Sequence, residues 1–215
     1  LLGTDHLGRD MLSRVIYGAR ISLVVVAVTL GIGGTIGVVL GLVSGYYGGW
    51  VEELIMRLVD IKLAIPTILL ALVLVLALGE SFLIIVVILA IAIWPRFARN
   101  TRGEVLQLKT MDYVALAKVS GASTPRILFK HIFPGVVNTL IILATLEVGI
   151  VIMLESTLSF LGAGVPPPTP AWGSMGAAWW ISTMPGVAIM LVVLSMNVFG
   201  DWLRDKLDPR LRQLE

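Results

Sequence analysis

Two carboxylates stand where water is scarce. Glu147 and Glu155 lie inside an apolar run from about Val136 to Leu161. Ionisable groups in such a run are costly, and they ordinarily face a cavity or a partner. Eight residues apart on a helix, they are separated by roughly 80° around the axis and about 12 Å along it, so one broad face can carry both. One reading places them on a translocation pathway, touching a charged or hydrogen-bonding substrate or forming a gate. The other satisfies them through buried hydrogen bonds, with Asn138, Ser156 or Thr157 as partners. Glu155 is also near one end of the run, where water can reach it.

Other chemistry is missing. The chain has no cysteine, which removes disulfides, thiolate nucleophiles and cysteine metal sites. No G-x-x-x-x-G-K-[ST] phosphate loop, H-E-x-x-H zinc motif or G-x-S-x-G nucleophile elbow occurs. The two histidines, His6 and His131, fall on opposite sides of the membrane in the topology below and cannot share a metal. No catalytic residue, metal site or cofactor of the chain's own is therefore expected. The basic residues flank apolar runs instead of lining an aromatic-rich groove, which excludes nucleic acid as a partner.

The elements that must position the two glutamates are membrane spans. Of the 215 residues, 57% are hydrophobic and 14% charged, against about a quarter charged in average soluble domains. Mean hydropathy is +0.95. A bilayer core needs roughly 20 apolar residues as a helix. Five runs meet or approach this: Ile21–Ser44, Leu63–Gly79, Ser81–Pro95, Val136–Leu161, and Pro185 to Gly200 or Leu203. The second and third form a tight hairpin at Gly79-Glu80-Ser81. The shorter runs need interfacial residues such as Trp94 and Trp202 to reach across. Five spans put the chain's ends on opposite sides. Residues 1–20, 79–81 and 162–184 then carry three basic residues; 45–62, 96–137 and the tail from Arg204 carry thirteen. The basic side is cytoplasmic by the positive-inside rule, so 1–20 is an external segment and 205–215 a cytoplasmic tail. A further span before Leu1 would account for the external start.

Gly33, Gly37, Gly41 and Gly45 recur every fourth residue in the first run. Such glycines let helix backbones approach closely. Packing inside the subunit and contact with a partner subunit both fit. The polar stretch 96–137, with its core at 100–137, has strong helix punctuation. Asp112 is expected to cap a short helix over Tyr113–Ser120, and Gly121 to end it in a left-handed turn. Tyr113, Leu116, Ala117 and Ser120 share one face. Thr124 is expected to cap a second helix, with Pro125 first, leading through Pro134 into the fourth span. An exposed apolar face on a short polar-side helix wants a partner, or folds back on its own spans. Pro166-Pro167-Pro168 stiffens the external loop, where Trp172, Trp179 and Trp180 read as interfacial anchors.

The stretch YVALAKVSGASTPRILFKHIFP (Tyr113–Pro134) resembles the EAA loop of bacterial ABC-importer permeases. Ala117, Gly121 and Pro134 hold the motif's positions; Ala115 stands where the family has Glu, and Leu116 where it often has Ala. LLGTDHLGRDMLSRVIYGARISL (Leu1–Leu23), GYYGGWVEELIMRLVDI (Gly45–Ile61), LSFLGAGVPPPTPAWGSM (Leu158–Met175) and GDWLRDKLDPRLR (Gly200–Arg212) resemble the C-type permease subunit of the dipeptide/oligopeptide/nickel importers, which are binding-protein-dependent systems. The family pattern has one more span before the LGTD segment, and the stretch between Met175 and Trp179 looks shorter than that pattern.

The resemblance implies an all-α membrane protein with the type I ABC-importer permease fold, one domain over 1–215 with five spans here. It implies a subunit of the bacterial inner membrane that pairs with a second homologous permease. Two cytoplasmic ATPases would bind ATP and magnesium, and an external binding protein would deliver di- or oligopeptides or nickel. Tyr113, Leu116, Ala117, Ser120, Gly121 and Pro134 would form the coupling contact with an ATPase, and part of the external loop would dock the binding protein. The alternative from another class is an ion- or proton-coupled secondary transporter or channel that uses Glu147 and Glu155. Internal inverted repeats, frequent in such proteins, are not evident.

Overall fold

A computed structural model describes residues 3–5, 8–166, 169–175 and 179–207. His6, Pro167, Pro168, the stretch 176–178, the side chains of Trp179 and Trp180, and the tail from 208 lie outside the described residues.

The described chain is helical, apart from a single bridge between Thr4 and Asp10. Its opening helix is α1 (Met11–Thr29), which continues through a π turn (Leu30–Gly34) into α2 (Thr35–Tyr47), 37 residues in one rod. Asp10 starts it by accepting the Ser13 N–H at 2.8 Å. Gly48, at φ +67°, ends it, and α3 (Gly49–Ala64) begins at once. Pro66 cannot continue α3, so α4 (Thr67–Leu78) leaves at 88°. Gly79 at φ +88° and the Ser81 cap then turn the chain into α5 (Phe82–Leu108). This is the expected hairpin.

Several boundaries differ from the sequence reading: the first rod begins at Met11, within the segment read as preceding the first span, and the last helix begins before Pro185. The second crossing is a broken pair, α3 and α4, because α4 alone has 12 residues. The third does not stop at Pro95, which lies inside the 27-residue α5. Pro95 frees the Ile91 carbonyl, four residues back, and beside that break Lys62 Nζ of α3 donates to the Ala92 carbonyl at 2.7 Å. Consequently, 96–137 is mostly helix. Only the segment from Lys109 to Ser123 departs from long helices, and it holds α6 (Asp112–Val119). Then α7 (Thr124–Arg126), a π turn (Ile127–Ile132) and α8 (Phe133–Phe160) run as one 37-residue rod. The last helix is α9 (Trp179–Leu207), with Pro185 inside it. By length and composition, four of these rods can cross a bilayer, and the broken pair makes a fifth.

The glycine stripe positions the core. Gly33, Gly37, Gly41 and Gly45 all press on α5 of the same chain. A Cβ at each would fall 2.8 Å from Ala90 O, 2.4 Å from Trp94 O, 2.6 Å from Ala98 O and 3.1 Å from Arg102 O. The backbones touch because no side chain intervenes. Around this seam the buried Val25, Ile85, Leu89, Ile93, Ile152 and Leu158 join α1, α5 and α8.

The two ends of the bundle gather the segments that charge counting had separated. At one end, Glu80 of the hairpin lines a cavity with Phe160 and Gly162. There Trp172 donates its indole N–H to Val15 O at 2.9 Å. Trp172 is 3% exposed, so it ties the loop after α8 to α1 and is not an interfacial anchor. At the other end Lys109 Nζ donates to Gly45 O at 2.8 Å, and Lys118 lies over the Tyr46 ring.

Candidate functional site

At the end that holds Lys109 and Lys118, α6 forms a short docked lever. Met111 is its N-cap residue, and Asp112 is already in the first turn. The expected Asp112 cap is thus displaced by one residue, and Asp112 instead places its charge at the positive end of the helix dipole. The stop is as expected at Gly121, φ +75°. Its N–H donates to Lys118 O at 3.0 Å, and the Ala122 N–H donates to Ala117 O at 3.0 Å. These two bonds form a Schellman ending, which needs a left-handed residue. Next, Ser123 is the N-cap residue of α7, with Thr124 and Pro125 in its first turn. Thr124 is one residue inside the expected cap.

α6 holds to the bundle by one side. Val114 is fully buried, with Ala117 beside it, against Leu42 of α2, Val105 of α5 and Ile127, Leu128 and Ile132 of the π turn. The opposite side presents Tyr113, Leu116, Val119 and Ser120 to the outside; Leu116 is 67% exposed and Val119 87%. Of the four residues expected on one face, Ala117 therefore belongs to the docked side and the other three to the open side. Pro134 sits in the first turn of α8, beyond the π turn.

The two intramembrane glutamates do not share a surface. Their angular separation aims them at different neighbours. Glu155, fully buried, takes hydrogen bonds from Ser159 at 2.8 Å, Ser22 at 3.3 Å and Ser156 at 3.5 Å. Ser22 comes from α1, so this cluster joins α1 to α8. Glu147, 2% exposed, receives both of its bonds from Arg96 Nη1, at 3.0 and 3.3 Å. Of the expected partners Ser156 takes part, whereas Thr157 donates to Met153 O.

Arg96 and Lys62 were missed because both stand at apparent span ends. A helix through Pro95 carries Arg96 toward α8, and α3 carries Lys62 to the bend. The wider clamp has the same logic: α5 pairs Arg99 with Asp60 and Arg102 with Glu52 of α3, while Glu104 accepts from Thr139 of α8 at 3.0 Å. α5 is thus bolted to α3 on one side and α8 on the other. Among the described residues, no three His, Asp or Glu side chains are grouped to hold a metal ion.

Comparison with known proteins agrees over nearly the whole chain. Residues 37–213 match the family described as binding-protein-dependent transport system inner membrane component. The chain is 44% identical over 220 residues to the di/tripeptide transport system permease protein DppC of Pseudomonas aeruginosa, covering 99% of this chain and 73% of that protein. It is 42% identical over 219 residues to the glutathione transport system permease protein GsiD of Pectobacterium atrosepticum, covering 98% and 73%. Its fold is similar to that of the MetNI methionine ABC transporter in an inward-facing conformation, with a TM-score of 0.71 at 18% identity over 92% of this chain and 96% of that one. This chain therefore belongs to the family of binding-protein-dependent transport system inner membrane components, as a permease subunit of an ATP-driven ABC importer.

Proposed function

We propose that this permease pairs with a second, homologous permease to enclose a pathway for di- or oligopeptides. In this reading, two cytoplasmic ATPases bind ATP and magnesium, and a binding protein on the other side delivers the cargo. The chain itself catalyses no reaction. The names of its relatives, di/tripeptide and glutathione permeases, support a peptide cargo over nickel. The end bearing α6 and the chain's C-terminal tail face the cytoplasm, as the positive-inside count favours.

The observation that carries the mechanism is α6. It is short, capped hard at Gly121, anchored through Val114 and open along Tyr113, Leu116 and Val119. An ATPase cleft that closes on ATP would grip that open side. The push would pass through Ile127–Ile132 into the rod that carries Glu147. π turns are frequent at functional hinges, and this one lies between lever and span.

Coupled transport in proteoliposomes tests the assignment. Leu116→Asp puts a charge on the open apolar side without touching Val114. It should abolish binding-protein-stimulated ATP hydrolysis while the subunit still inserts. Gly121→Val should do the same through the lever, since a β-branched residue resists a positive φ. A cysteine at Leu116 should crosslink to the ATPase. Full coupling in Leu116→Asp, with no crosslink anywhere along Tyr113–Ser120, would remove α6 from this role.

A further inference from the structure

Arg96 occupies an unusual place for a guanidinium. It is fourteen residues into α5 from Phe82, roughly 21 Å along the helix axis, so a bilayer core of about 30 Å that began at Phe82 would still enclose it near its basic side. Yet its side chain is 45% exposed. A guanidinium at such depth is costly in lipid, and such residues face water-filled cavities or bundle interiors.

The hydrogen bonds are lopsided. Glu147 engages only Nη1. Among the described residues nothing bonds Nε or Nη2. The free edge of the guanidinium is the one whose two parallel N–H groups match a carboxylate. Glu147 is almost fully buried, so it holds the fork in place without covering it.

The local charge is also unbalanced. Lys62 lies one helical turn from Arg96, bonded to Ala92 O at 2.7 Å and Thr67 Oγ1 at 3.3 Å. Among the described residues Lys62 makes no ion pair, and Glu147 is bonded by Arg96 alone. Arg99, the next cation along α5, is already paired with Asp60. The cluster is short of one negative charge on its open side.

We infer that Arg96, fixed by Glu147 and backed by Lys62, is a subsite for the terminal carboxylate of a peptide passing through the pathway. This rests on the peptide reading above. The free Nε–Nη2 edge receives the carboxylate, and Glu147 keeps that edge turned to the pathway. Lys62 secures the bend between α3 and α4 to α5, so the subsite lies beside that bend. In transport the contact is transient. One solvated bidentate pair is strong enough to select the acid and weak enough to release it.

The test uses the whole importer in proteoliposomes, with binding protein preloaded with dialanine or dialanine amide. Uptake of the acid relative to the amide is compared between variants, so the preference of the binding protein cancels. Arg96→Gln should lower this acid-to-amide ratio by about tenfold, as expected for loss of a charge-assisted bond. Arg96→Lys keeps the charge and a bond to Glu147 but loses the second edge, and should lower the ratio by about threefold. If Arg96→Gln does not assemble, Arg96→Lys decides alone. An unchanged ratio in Arg96→Lys, or equal loss of acid and amide in Arg96→Gln, overturns the subsite. An effect that follows the fraction of anionic lipid, and is the same for both cargoes, assigns the edge to a lipid phosphate and overturns it too. If the wild-type importer takes up neither probe, the peptide reading fails, and the subsite falls with it.

Discussion

Gly37→Ala adds one methyl group where α2 presses hardest on α5. The new Cβ would stand 2.4 Å from Trp94 O, 2.6 Å from Phe97 Cβ and 3.0 Å from Ala98 N. Ordinary contact starts at 3.4 Å, so the seam must open by about 1.0 Å. Two of the three obstacles are backbone atoms, and they cannot rotate away. Overpacking of this kind costs about 1–3 kcal/mol or more. Alanine's better helix propensity returns at most ~1 kcal/mol. The net loss is about 0–3 kcal/mol. Gly103→Ala is the matched control on α5, because a Cβ there meets nothing within 4 Å. It should gain up to ~1 kcal/mol from propensity alone. The propensity gain cancels between the two variants, so they should differ by the overpacking cost, roughly 1–3 kcal/mol, or about 2–12 °C in Tm at this chain length. Thermal unfolding of the purified complex in detergent measures the gap. If Gly37→Ala melts with or above Gly103→Ala, α2 and α5 are not in backbone contact, and the account of the glycine stripe is wrong.

Other perturbations probe the polar groups and the topology. Glu155→Leu strands the Ser22, Ser156 and Ser159 hydroxyls and should destabilise the α1–α8 contact by about 1–3 kcal/mol; Glu155→Gln keeps acceptors for them and should cost less, with both read from thermal unfolding. Glu147→Gln weakens the tether on Arg96 and should reduce uptake while assembly, followed by size-exclusion chromatography, is retained. Lys62→Met removes the bond that ties the end of α3 to the Ala92 carbonyl of α5 and should speed protease cleavage at the Ala64–Thr67 bend. Because the chain has no cysteine, single cysteines at Thr169 and Thr110 report cleanly: an impermeant thiol reagent should reach them from opposite faces of sealed vesicles, and labelling from the same face would refute the topology.

Several features of this protein are legible in one dimension, because they depend on local chemistry. Gly79 and Gly121 permit the positive φ that a tight turn needs, so the hairpin and the end of α6 are marked by residue type. The apolar runs require a membrane, since too few charges remain to cover a soluble surface. The four-residue glycine spacing signals a close helix contact. It cannot name the other helix, and tertiary structure alone identifies α5 of the same chain. Local signals misled at Pro95, where a proline that usually ends a helix sits within one, and at Trp172, whose type suggested an interface and whose indole is buried against Val15. Most of all, the partners of the buried glutamates lay beyond local reading. Ser22 is 133 residues from Glu155, and Arg96 is 51 residues from Glu147. Burial makes each carboxylate's need for a partner evident from the sequence. Which hydroxyl or guanidinium meets that need depends on how α1, α5 and α8 rotate against one another, and only the packed bundle decides it.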